Sequence, residues 1–120
     1  MEALWRVKAL HGTIGPLLQV SEIRTIAADD LWLSGSYGRD SVAIHFTWHN
    51  DSDVLGVLPL LDAALYSLGA RPHWGKLFTI DSTQIAKMYP QFAAFTEMVR
   101  HWDPKGKFLN SVSKSIFDAI

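Results

Sequence analysis

The chain has 120 residues, of which 48% are apolar and 19% charged, a balance that is typical of one small globular domain and argues against intrinsic disorder. Its formal charge of −1 provides no basic surface, so we do not expect nucleic acid as a partner. The sequence has no cysteine, no signal peptide and no apolar run long enough to cross a membrane, which predicts a cytoplasmic protein without disulfides, thiolate chemistry or a membrane partner.

The first half of the chain predicts one helix and then two strands. Residues 2–11 are rich in good helix formers, and glycine and proline follow them. No capping residue precedes this helix, as expected if the chain starts partway through a larger domain. Segments 17–26 and 41–49 alternate as strands do, and the small polar residues of 27–40 predict a loop between them.

The second half of the chain predicts helices around one short strand. The helical segments are 54–68, 83–88 and 90–102, and the strand is 71–78. The side chains that we expect to face inward from the last helix are Phe92, Phe95, Met98 and Val99. A turn at 103–106 precedes a weakly patterned tail.

The order of these elements predicts an α+β fold. Helix, strand, strand, helix, strand is a split β-α-β, ferredoxin-like layout that lacks its first strand. Helices would cover one face of a small antiparallel sheet, and further helices would follow at the C-terminal end. We divide the chain into a substrate or cap domain at 1–80, incomplete at its N-terminus, and a C-terminal helical segment at 81–120.

Strand alternation places a polar group on the sheet face away from the helices. Its members are Glu22, Arg24, His45 and Thr47. The same alternation puts Leu18 and Val20 on that face. Glu22 and Arg24 project about 7 Å apart, so they are either an ordinary exposed ion pair or, beneath another domain, a pair that binds hydroxyls or stabilises an anion.

A metal site is a weaker interpretation of the histidines. His45 and His49 lie roughly 13 Å apart on one strand, so they do not converge on one ion, and a site at His45 would require His73. We therefore predict no metal. The segment from His73 to Lys76 is either a structural turn or one whose Gly75 lets the backbone approach a ligand closely. No glycine-rich phosphate motif, nucleophile elbow or HExxH motif occurs.

Five collinear segments carry a resemblance to a known family. They are SEIRTIAADDLWLS at 21–34, YGRD at 37–40, IHFTWH at 44–49, GARPHWGK at 69–76 and DPKGKFLN at 103–110. In this order they resemble the C-terminal substrate domain of the FAD-dependent alditol (xylitol) oxidases, which stand with the sugar-lactone oxidases in the vanillyl-alcohol-oxidase-like superfamily.

The resemblance implies an activity and a set of site residues. A terminal CH–OH of an alditol would be oxidised to an aldehyde, with O₂ reduced to H₂O₂ and FAD held by an N-terminal domain that has no counterpart here. The implied catalytic residues are Glu22, Arg24 and Lys76. The implied substrate-binding residues are those three with His45 and Thr47. The residues implied to lie beside FAD are Arg24, His73, Lys76 and Asn110.

A second interpretation stays open from the sequence. The chain would then be a stand-alone binding or interaction module that keeps the fold without redox activity. In either case we expect the polar sheet face to be open to solvent or covered by a second copy of the chain, because the implied flavin domain is absent.

Overall fold

A computed structural model describes residues 1–49 and 52–117 of the chain. In chain order the elements are α1 (Glu2–Ala9), α2 (His11–Ile14), a 3₁₀ turn (Gly15–Leu17), β1 (Leu18–Ile26), β2 (Ser41–Trp48), α3 (Val54–Tyr66), α4 (Ser82–Met88), α5 (Phe92–Trp102) and α6 (Ser111–Phe117). The predicted α+β fold with a small antiparallel sheet is thereby confirmed.

The strands β1 and β2 form an antiparallel ribbon. Glu22 lies opposite His45, and Ile23 lies opposite Ile44. The register shifts near the start of β1, where Leu18 faces Trp48 although Val20 faces Thr47. Since one extra residue in a strand reverses the direction of the side chains beyond it, Leu18 lies on the opposite face from Val20, and the prediction that they share a face is wrong.

One apolar core joins the ribbon to the helices that flank it. Ile14, Val57 and Leu61 are buried there, and Phe46 and Trp48 of β2 pack against them. The two aromatic rings stack with their centroids 5.5 Å apart. Because Phe46 and Trp48 face the helices, the alternate residues of β2 lie on the other side of the sheet, as predicted.

A second core holds the C-terminal helices. Its buried members are Ile85, Tyr89, Phe92 and Ile116. Side chains from both sides of residue 80 pack around it, including Leu33, Trp74, Phe78 and Phe117. The division of the chain at residue 80 stays a prediction.

Two details of helix α5 differ from the sequence pattern. Met98 is exposed rather than inward, and Thr96 is buried in its place. The Thr96 hydroxyl donates to the carbonyl of Phe92 at 2.9 Å, which satisfies a polar group that would otherwise be costly to bury. The weakly patterned tail also contains a helix, α6.

The strand predicted at 71–78 is wrong. These residues are irregular, and 74–76 lie in a turn closed by the Lys76 amide, which donates to the His73 carbonyl at 3.0 Å. Arg71 and Trp74 bind backbone carbonyls of other segments through their side chains, which takes the place of strand pairing.

Among the described residues the longest helix has 13 residues, and no helix there is long and apolar enough to span a membrane.

Candidate functional site

The polar side of the ribbon gathers four of the predicted site residues. We call Glu22, Arg24, His45 and Thr47 the ribbon face. The Arg24 guanidinium donates to Glu22 Oε2, and His45 Nδ1 lies 3.7 Å from the same oxygen. Their side chains are 69%, 44% and 36% exposed for Arg24, Glu22 and His45. The carboxylate therefore stands between a cation and an imidazole on an open surface.

The exposed ion pair adds little to the stability of the fold, whereas the polar groups of the ribbon face are available to a ligand. An exposed ion pair contributes under about 1 kcal/mol to folding, because water screens both charges. If another surface covered the same pair, the hydrogen bonds would strengthen in the drier environment. A guanidinium, a carboxylate, an imidazole and a hydroxyl supply both donors and acceptors, which is what an uncharged ligand rich in hydroxyl groups requires.

The turn at 73–76 presents a second pair of predicted site residues. The Gly75 amide donates to His73 Nδ1 at 3.1 Å, and the Lys76 amide donates to the His73 carbonyl. His73 therefore uses one ring nitrogen to shape the turn and leaves Nε2 for a ligand. Lys76 is exposed. The turn thus offers an ammonium group on a backbone that is closed by local hydrogen bonds.

Asn110 lies at the start of helix α6. Its Oδ1 accepts from the Ser113 amide at 2.9 Å, and the Asn110 amide donates to Ser113 Oγ at 2.8 Å. These reciprocal bonds are typical of a helix N-cap. Asn110 therefore has a local structural role, and its Nδ2 is the group that remains for a ligand.

The predicted site residues do not all contact one another. Among residues 1–49 and 52–117, no hydrogen bond or ion pair links the ribbon face to His73, Lys76 or Asn110. The same described ranges hold no group of three or more metal-ligating side chains. The structure therefore assembles the ribbon face directly and presents the other residues on separate segments.

The sequence did not single out Arg71 and Tyr89. The Arg71 guanidinium lies 5.0 Å from the centre of the Tyr89 ring, and the indole of Trp74 stacks on the same ring at 5.3 Å. Burial lowers the pKa of Arg71, and the positive charge of Arg39 lowers it further. The available signal was an arginine close to a tryptophan within a segment that lacks clear strand alternation.

The pH dependence of folding stability tests the burial of Tyr89 in this core. Its hydroxyl is buried and has no hydrogen-bond partner among the described residues, and burial raises its pKa. The unfolded chain releases the phenol proton near pH 10 whereas the folded chain retains it to higher pH, so stability falls as the pH rises above about 10. Tyr89→Phe should remove this alkaline loss and stabilise the neutral protein by about 1 kcal/mol.

Urea unfolding at neutral pH and at about pH 10.5 measures both effects. Tyr66→Phe is the matched control, because it removes a tyrosine hydroxyl outside this core, and it should keep the alkaline loss of the unaltered chain. A Tyr89→Phe variant as sensitive to alkali as the unaltered chain would contradict the assignment.

Taken together, the structure is a small α+β domain in which Phe46 and Trp48 of β2 pack on the helices. Farther along the same side of the ribbon, Ile23 and Val42 are exposed, and the ribbon face forms a polar surface on the other side. Comparison with known proteins then identifies the family. The family model described as D-arabinono-1,4-lactone oxidase matches residues 11–116.

Individual relatives agree with this match. Alditol oxidase from Streptomyces sp. (strain IKD472 / FERM P-14339) is 43% identical over 119 residues, which cover 98% of this chain and 29% of that protein. L-gulonolactone oxidase from Mus musculus is 31% identical over 97% of this chain and 28% of its own length. L-gulono-1,4-lactone dehydrogenase from Mycobacterium tuberculosis (strain ATCC 25618 / H37Rv) is 28% identical over 84% of this chain.

The chain belongs to the D-arabinono-1,4-lactone oxidase family, which confirms the resemblance to alditol and sugar-lactone oxidases. It spans less than a third of the length of the relatives described above.

Proposed function

We propose that the chain is the substrate-binding, C-terminal portion of an FAD-linked oxidase that converts the terminal CH–OH of alditols such as xylitol to an aldehyde and O₂ to H₂O₂. In this reaction the carbon loses a hydride and the hydroxyl loses a proton. The family match and the alditol oxidase at 43% identity support this class of reaction.

The ribbon face is the observation that carries the proposal. Glu22 is held between Arg24 and His45 on an exposed surface, and Thr47 lies on the same side of the ribbon. An alditol has a row of hydroxyl groups, each of which donates and accepts hydrogen bonds. Donors and acceptors such as these four side chains therefore bind it although it carries no charge. We therefore assign substrate binding to Glu22, Arg24, His45 and Thr47, and to Lys76 on the 73–76 turn.

Glu22, Arg24 and Lys76 are the proposed catalytic residues. FAD, when bound, supplies the redox chemistry by accepting the hydride and passing electrons to O₂. The residues present suit such a group: Arg24 and Lys76 are exposed cations, and His73 and Asn110 keep Nε2 and Nδ2 beyond their local hydrogen bonds. Arg24 would bind an alditol hydroxyl and stabilise negative charge beside it.

An N-terminal flavin domain is the proposed partner of the ribbon face. The side chains that would meet it are exposed in this chain, and covering them would place the Glu22–Arg24 pair in a low-dielectric site. Residues 81–120 would return toward that domain. A second copy of the chain is the alternative cover, which would make the chain a homo-oligomer through the same face.

The chain purified by itself should be colourless and inactive. The sequence has no glycine-rich phosphate-binding motif, and the exposed ribbon face by itself gives a flavin ring no enclosed site. Visible absorbance after gel filtration in the presence of FAD is the measurement. Flavin absorbance that co-elutes with the chain would contradict the expectation.

The alternative function is a stand-alone binding or interaction module without redox activity. A chimera separates the two, in which this chain replaces the matching segment of the Streptomyces alditol oxidase. The proposal expects the chimera to retain FAD and to form one H₂O₂ for each xylitol oxidised. A chimera that retains FAD and does not turn over any alditol would favour the stand-alone module.

A further inference from the structure

Arg71 connects segments that are far apart in the sequence. Its Nη1 donates to the carbonyls of Ser34, Gly35 and Tyr37 at 3.3, 3.3 and 3.1 Å. Its Nε donates to the carbonyl of Met88 at 3.0 Å, at the end of α4. One guanidinium therefore binds the loop between the ribbon strands and the helix of the second core.

The loop at 27–40 is continuous with the ribbon and has its own internal structure. The Gly38 amide donates to the Asp29 carbonyl at 2.9 Å, and the Asp29 amide donates to the Ser36 carbonyl at 3.2 Å. The loop leaves β1 at Ile26 and enters β2 at Ser41. Whatever holds this loop therefore also holds the end of the ribbon beyond Arg24.

The turn that carries Lys76 is attached to the same loop. Trp74 Nε1 donates to the Leu33 carbonyl at 2.7 Å, and its indole and the Arg71 guanidinium both lie against the ring of Tyr89. Tyr89 is 1% exposed, so this ring is a fixed wall of the core. Arg71 and Trp74 thus both bind the loop from one four-residue segment, and Trp74 is itself part of the turn.

We propose that Arg71 is a positioning residue that holds the 73–76 turn against the 27–40 loop and thereby sets Lys76 relative to the ribbon face. The inference rests on the proposed function for the roles of Lys76 and the ribbon face. Lysine is no substitute, because a single ammonium on a flexible stem does not span carbonyls on α4 and on the loop as the planar guanidinium does.

Amide hydrogen exchange of the chain itself tests the connection without requiring turnover. In Arg71→Lys, the amides of Gly38 in the loop and Lys76 in the turn should both exchange about tenfold faster or more, because they open together. Arg6→Lys is the matched control: Arg6 also donates to a distant carbonyl, that of Ala64 at 3.0 Å, and its replacement should leave both amides unchanged.

Acceleration of only one of the two amides, or of neither, would overturn the proposal. Trp74→Phe provides a second variant in case Arg71→Lys does not fold. It keeps a ring against Tyr89, and it removes the hydrogen bond to Leu33 together with part of the indole. It should accelerate the same two amides to a smaller extent, and a Trp74→Phe variant with unchanged exchange at both would also overturn the proposal.

A double-mutant cycle in the chimera tests the consequence for the site. Arg71→Lys should lower kcat for xylitol about tenfold in the unaltered background and less than about twofold in a Lys76→Ala background, since the effect passes through Lys76. Equal losses in both backgrounds would mean a purely structural role and overturn the proposal. Failure of the proposed function is distinct, because the chimera without these substitutions would then not oxidise xylitol, whatever the amide exchange of the chain.

Discussion

Arg24→Ala should slow the anaerobic reduction of the bound flavin by xylitol on the order of 100-fold in the chimera, equivalent to about 3 kcal/mol of transition-state stabilisation. Arg24 is paired with Glu22 on the ribbon face, and the proposed flavin domain would exclude water from that pair. A cation in such a site interacts strongly with charge that develops during hydride transfer, and alanine provides no replacement. Stopped-flow absorbance measures the rate.

Two control variants separate the role of the side chain from loss of charge in general. Lys87→Ala removes an exposed cation from α4 and should leave the rate within about twofold, as expected for a surface charge. Arg24→Lys keeps the charge but loses the planar fork, so its rate should lie between those of Arg24→Ala and the unaltered chimera. Equal rates for Arg24→Ala and Lys87→Ala would leave Glu22–Arg24 as an ordinary ion pair.

Phe92→Ala should destabilise the chain by about 3–5 kcal/mol, a large part of the stability of a domain of this size. Phe92 is 2% exposed, and its ring stacks on Phe117 with the centroids 5.7 Å apart. Truncation removes buried apolar surface and leaves a cavity that the neighbouring residues of α4 and α6 fill only partly. Urea unfolding followed by circular dichroism gives the change in the free energy of unfolding.

Phe108→Ala is the matched control for this prediction. It deletes the same atoms from a side chain that is 87% exposed, so the free energy of unfolding should change by less than about 0.5 kcal/mol. Similar losses in the two variants would mean that the second core does not hold the C-terminal helices together.

The ribbon could be predicted because its pattern is local. In β2 every second residue is apolar from Val42 to Trp48, and this period of two determines both the strand and its faces. The irregular pairing near Leu18 could not be predicted in the same way, because an extra residue in one strand is defined only by its partner strand. The error in the faces of the ribbon, at Leu18, therefore lies at the irregularity, and the prediction that Glu22, Arg24, His45 and Thr47 share one side of the ribbon was correct.

The segment at 71–78 shows a different limit of prediction from the sequence. Its apolar and aromatic residues have the composition of a strand, but Arg71 and Trp74 satisfy carbonyls of a loop that lies more than 30 residues earlier in the chain. Such side-chain bonds depend on the tertiary structure, which local propensity does not contain. For the same reason, alternation along the strands predicted Glu22, Arg24, His45 and Thr47 as one group, whereas the role of Arg71 became visible only in the structure.

Binding of xylitol to the ribbon face is the central claim, and the ring resonances of His45 report on it directly. Histidine-selective NMR of the chimera, with the flavin reduced and O₂ excluded so that xylitol is not consumed, allows the bound state to be observed at equilibrium. Xylitol should shift the His45 resonances, which are identified by their loss in His45→Gln, and leave those of the exposed His101 on α5 in place. Saturating xylitol that leaves the His45 resonances unshifted would contradict the account.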